Sequence, residues 1–95
     1  MKLYPKSTMS IMYHSADASE DWPCVVKISE AEILVEYEDE GFCQYVGKSR
    51  GVGHYELQAP ALKGHASLHM FEGSEHLEGT WVEGSYRGMW CIRLN

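Results

Sequence analysis

The sequence has no apolar run near the ~18 residues of a membrane-spanning helix, and no apolar leader segment follows Met1-Lys2-Leu3. Positive charge is scarce: eight lysines and arginines stand against fourteen acids, a formal net charge of -6. A phosphate binder needs a basic surface, so no nucleic acid is expected as a partner, and no membrane. Cysteine is sparse, and Cys24, Cys43 and Cys91 are odd in number and widely spaced. None of them forms the Cys-x-x-Cys of a zinc or redox site, and reduced thiols in a cytoplasmic protein are the expectation. Low-complexity linkers are missing as well, so the 95 residues should form one domain. No glycine-rich phosphate loop occurs. The basic stretch Gly47-Lys48-Ser49-Arg50-Gly51-Val52-Gly53 lacks that spacing and is expected to be a solvated, mobile connection. No cofactor is implied.

What the chain does have is hydrophobic material, 44% of its residues, laid out with a period of two. Gly64, Ala66, Leu68 and Met70 alternate with His65, Ser67 and His69. Leu77, Gly79 and Trp81 alternate with His76, Glu78 and Thr80, and Tyr86, Gly88, Trp90, Ile92 and Leu94 with Arg87, Met89, Cys91 and Arg93. Each segment is a strand with one face toward a core.

Glu-Gly-Ser occurs at 72–74 and again at 83–85, and Gly-Ser suits the centre of a type II′ hairpin. A loop at Gly73-Ser74 sets Glu72 opposite Glu75, Met70 opposite Leu77 and Leu68 opposite Gly79. A loop at Gly84-Ser85 sets Glu83 opposite Tyr86, Trp81 opposite Gly88 and Gly79 opposite Trp90. Each indole then faces a glycine, large against small.

Upstream, Val52–Gln58 forms a strand, with 59–63 its loop to the next. Phe42–Val46 and Cys24–Ser29 are strands, and Thr8–His14 is a weaker one. Ser15–Asp21 is polar loop or one helical turn. Residues 30–38 leave two readings open. Ser29-x-x-Glu32 and Gly41 could bound a helix, whereas Ile33, Val35 and Tyr37 favour a strand. Eight strands of ~7 residues would use ~56 positions, leaving only tight connections. The expected fold is all-β: an antiparallel meander of about seven to eight short strands, closed into a small barrel or curved into a half-barrel. Glycines at 64, 79 and 88 would permit the coiling.

Leu77-Glu78-Gly79-Thr80-Trp81 resembles the Gly-x-Trp motif of the calycin barrels, the lipocalin and avidin families, and Val82–Leu94 resembles the second strand of an avidin-type hairpin. The motif lies near the end of this chain, whereas in those families it opens the barrel. The resemblance implies a barrel whose interior holds a small apolar ligand. On this sequence the motif itself places only Gly79 and Trp81. Trp81, Trp90, Tyr55 and Tyr86 are the candidate ligand-binding residues, since they supply the large aromatic groups of the strand faces.

A second constellation lies on the polar face. If Tyr55 pairs with Leu68, then His54 lies opposite His69, with Glu78 next in line and Cys91 beyond it. Two imidazoles and a carboxylate are sound zinc ligands, so His54, His69 and Glu78 are the metal candidates, in competition with a plain solvated face. The same row, with Cys91, is the candidate centre of a metal- or thiol-dependent enzyme, although nothing supplies an oxyanion hole. Glu30, Glu32, Glu36, Glu38, Asp39 and Glu40 form an acidic outer face suited first to protecting a sheet edge. Phe71, Thr80, Val82 and Met89 would form a semi-apolar outer patch fit for a homo-oligomer. The sequence therefore favours a non-enzymatic binding module, acting on a small apolar ligand or through a subunit interface, over the enzyme.

Overall fold

The computed structural model describes residues 1–14 and 19–95. Eight antiparallel strands follow one another as a meander and close into a barrel, β1 returning to β8. They are β1 (Lys2–Tyr13), β2 (Ser19–Ile28), β3 (Glu32–Glu38), β4 (Phe42–Gly51), β5 (His54–Ala59), β6 (Gly64–His69), β7 (His76–Glu83) and β8 (Tyr86–Arg93). A single 3-10 turn, Pro60–Leu62, joins β5 to β6. The all-β meander expected from alternation is thus a closed barrel. No helix among the described residues is long and apolar enough to cross a membrane.

Alternation decides which side chains enter. Val26, Ile33, Leu57, Leu68, Leu77 and Ile92 are fully buried and fill the interior. An eight-stranded barrel has an interior just wide enough for its own side chains, and here they fill it as a packed core. A cavity lies toward the end where β1, β3, β5 and β7 finish and β2, β4, β6 and β8 begin, hereafter the mouth.

The carboxy-terminal registers follow the turn chemistry. Glu83 pairs with Tyr86, Trp81 with Gly88 and Gly79 with Trp90. Gly84 supplies the positive φ, 59°, that the first centre of a II′ turn requires. Leu68 pairs with Gly79 as expected, but the intervening turn differs. Ser74 N donates to Phe71 O, so the turn is displaced by one residue and Gly73, at φ 78°, takes its third position. Met70 and Glu75 do not continue the ladder because each bonds elsewhere: Met70 N donates to Gly53 O, and Leu94 N to Glu75 O.

Residues 32–38 resolve as strand β3, and Glu30 and Ala31 lie in the turn before it. The Ser29–Glu32 capping pattern is real but closes a turn between strands. Glu32 N donates to Ser29 Oγ at 3.1 Å and Ser29 N to Glu32 O at 2.9 Å. Since β3 has neighbours on both sides along Ile33–Glu36, Glu36 guards no edge. Glu36 instead accepts from Gln44 and pairs with Lys27.

Three boundaries differ from expectation. Ser19–Asp21 belong to β2, paired with Ser10–Met12; positions 15–18 of the expected polar loop lie outside the described residues. β1 begins at Lys2, its alternation interrupted by a bulge between Tyr4 and Ser7. Gly47–Gly51 extend β4 and are no loose loop: Gly47 is buried against the Glu56 carbonyl and Leu57, and Ser49 N donates to Ala31 O. The outer apolar patch also contracts. Met12 pairs with Met89 beside Thr80 and Val82, whereas Phe71 sits in the β6–β7 connection at the opposite end of the barrel.

The barrel is shut along β1 and β8, from Thr8–Arg93 to Tyr13–Gly88. At the bulge, buried Ser7 receives the Asn95 amide on its hydroxyl, and Lys6 N donates to Asn95 O. Elsewhere the wall is incomplete. β2 and β3 pair only over Val25–Ile28 and Ile33–Glu36, so Tyr37 and Glu38 near the mouth are paired to β4 alone.

Candidate ligand-binding site

The mouth holds a cavity of about 90 Å³, more enclosed than the grooves on the outer wall. Inward phase brings its aromatic lining from four strands. β7 provides Trp81, β8 provides Trp90 and, at the rim, Tyr86; β1 provides Tyr13 above Ile11. β3 provides Tyr37, in the stretch of the wall that β2 does not pair. Asp39 and Glu83, at the turns, add two carboxylates.

The rings are fixed by their neighbours. Trp81 and Tyr13 meet edge to face with centroids 5.3 Å apart, as do Trp90 and Tyr45. Such pairs add about 0.5–1.5 kcal/mol beyond area burial. Trp81 Nε1 donates to Met89 O at 3.1 Å, and Trp90 Nε1 spans β7 to reach Ser67 O at 3.2 Å. The Trp90 indole can make that reach because Gly79 lies between the two strands. Below the cavity, fully buried Tyr45 donates its hydroxyl to Glu83 Oε2 at 2.7 Å.

Burial above all, with the nearby Glu83 carboxylate adding to it, holds Tyr37 and Tyr45 above the ordinary tyrosine value of 10.0. Burial pushes the Cys24 thiol from 9.0 up to about 12. A raised value means that the unfolded state loses its proton first. The stability tied to the tyrosines is therefore whole below pH ~10 and is lost as pH rises through the folded values. Thermal melts should show a steepening fall in Tm above pH ~10, reduced in Tyr37→Phe, with Cys24 contributing from pH ~9. A Tm independent of pH across this alkaline range would contradict the burial of these groups.

Of the four aromatics nominated from sequence, Trp81, Trp90 and Tyr86 line this cavity, with Tyr86 65% exposed at the rim. Tyr55 does not: it is buried near the start of β5, at the far end of the barrel. Sequence reasoning missed Tyr13, Tyr37, Asp39 and Glu83. The alternation of β1 and β3 marks both tyrosines as inward, but nothing local says that they converge.

The polar row forms in register. His54 pairs with His69, His69 with Glu78, and Glu78 with Cys91 across β5 to β8. The two imidazoles stack edge to face at 4.2 Å, and the Cys91 thiol points at Glu78 Oε1, 3.8 Å away. Neighbours in line along a ladder do not converge on one point. Among the described residues no three His, Cys, Asp or Glu side chains are grouped to hold a metal ion. Burial, then the Glu78 charge, raises the Cys91 thiol, opposite to the activation a nucleophile needs.

No protein-family model matches the chain, and no curated protein is significantly similar to it.

Proposed function

We propose that this protein is a binding barrel of the calycin type that holds a small ligand in its aromatic mouth and does no chemistry on it. The observation that carries the reading is the convergence of Trp81, Trp90, Tyr13 and Tyr37, from separate strands, on one cavity above a filled core. Binding sites are typically concave, mostly apolar and largely pre-formed, with few placed polar groups, and the mouth has that composition. Its volume of about 90 Å³ suits a compact group of a few heavy atoms, or the end of a longer molecule left in solvent. The enzyme alternative has less support, because the His54–His69–Glu78–Cys91 row lies on the outer wall with a disfavoured thiolate.

Two probes of the same heavy-atom shape test the reading: 3,3-dimethylbutan-1-ol and choline, added at millimolar concentration to isotope-labelled protein. Binding in the mouth should shift the indole N–H resonances of Trp81 and Trp90 and leave the His54 and His69 rings unmoved. If neither probe moves either indole, the mouth is not a ligand site.

A further inference from the structure

The mouth is chemically one-sided. Both indole N–H groups are already committed to backbone carbonyls, so the tryptophans present ring surface to the cavity rather than donors. The charged groups lining it are both anions, Asp39 and Glu83. Glu83 is half-buried and tied to the core by Tyr45, which keeps its carboxylate at the cavity wall. Among the described residues no lysine or arginine lines the cavity. The ion pair recorded among the described residues, Lys27–Glu36, is elsewhere, and the basic residues of this end, Lys63 and Arg87, are exposed and do not line the cavity.

We infer that the ligand of the mouth carries a positive charge on a compact organic group, an alkylated ammonium, held by Asp39 and Glu83 against the ring faces of Trp81, Tyr13 and Tyr86. The inference rests on the mouth being the ligand site. An aromatic ring attracts a cation through its negative face, and methylated ammonium groups are recognised by such cages because their shell is apolar while their charge is whole. A neutral apolar group would strip water from Glu83 and return no charge to the carboxylate, and an anion would meet repulsion as well. Tyr13 and Cys43 are each raised first by burial and then by the acids around them, Asp39 and Glu83 in both cases. The net charge of -6 draws cations toward the molecule at longer range.

The two probes separate this inference from the reading beneath it, because they differ only in a charged nitrogen against a neutral carbon. Choline is expected to bind roughly tenfold more tightly than 3,3-dimethylbutan-1-ol at low salt, and only choline should weaken as salt is added. Glu83→Gln, whose amide oxygen still accepts from Tyr45, should remove most of that preference, weakening choline while the neutral probe binds as well as before or more tightly. Asp39→Asn, on an exposed turn, gives the same test without touching the core. Tyr86→Leu at the rim should weaken choline by roughly threefold. Equal affinity for the two probes, or choline binding indifferent to both carboxylate changes, overturns the cation assignment while leaving a neutral-ligand site standing. Silence from both probes overturns the site itself.

Discussion

Gly79→Ala is expected to lower the melting temperature by ~15 °C or more, and in a chain this small to leave a measurable unfolded fraction at room temperature. A methyl group there would overlap the carbonyl oxygen of Ser67 on β6, and backbone cannot rotate aside as a side chain can. The same carbonyl accepts the Trp90 indole, so a shift that relieved the overlap would disturb that hydrogen bond. Overpacking usually costs about 1–3 kcal/mol, and a collision with backbone in a ladder belongs at the top of that range or beyond. Gly73→Ala isolates the alternative explanation. Its φ of 78° is unfavourable for alanine, but nothing lies within reach of the added carbon, so about 1–2 kcal/mol is expected. Thermal or urea melts of the two variants make the comparison, and equal losses would show that close approach at Gly79 is not the cause.

Trp90→Ala should be nearly as damaging, costing about 3–5 kcal/mol. The side chain is 3% exposed, packs edge to face on Tyr45 and ties β8 to β6 across an intervening strand. Its removal opens the floor of the mouth, strands the Ser67 carbonyl and frees Tyr45, which positions Glu83. Trp90→Phe separates packing from hydrogen bonding. It retains most of the ring area and should lose only about 1–2 kcal/mol, the cost of one unsatisfied acceptor and a smaller ring. Near-equal melting temperatures for the alanine variant and the parent would mean that the indole is not a core element.

Much of this architecture is legible in the sequence because side-chain phase and turn chemistry are local. Gly84-Ser85 sets the last hairpin, and the His54–His69–Glu78–Cys91 alignment follows once Tyr55 is set opposite Leu68. The misread segments have a common physical origin, in that long-range pairing overrides a weak local pattern. Pro5 sits in a bulge that breaks the alternation of β1. Ser19-Glu20-Asp21 looks like loop, yet its backbone is claimed by β1. Lys48-Ser49-Arg50 is polar because it lies at a barrel end, yet Lys48 and Ser49 stay in the ladder with β5 and Arg50 forms a bulge in it. The site was legible in part. Trp81, Trp90 and Tyr86 sit on one hairpin, whereas Tyr13 and Tyr37 reach the mouth only when distant strands close the ring. Asp39 and Glu83 are turn residues whose solvated appearance in sequence hides their role in the cavity.

The stitched seam between β1 and β8 also governs the order of events during folding. Seven of the eight strand contacts join neighbours in the chain, and these can form as hairpins while synthesis proceeds. The eighth joins Thr8 to Arg93 and must bring the two ends of the barrel sequence together. Until then the first strand has one free edge and Trp90 has no finished core to enter. Such non-local closure belongs to the slower class of two-state folders, roughly milliseconds to seconds. The mouth, which draws Tyr13 from one side of the seam and Tyr86 from the other, is complete only once that seam has closed.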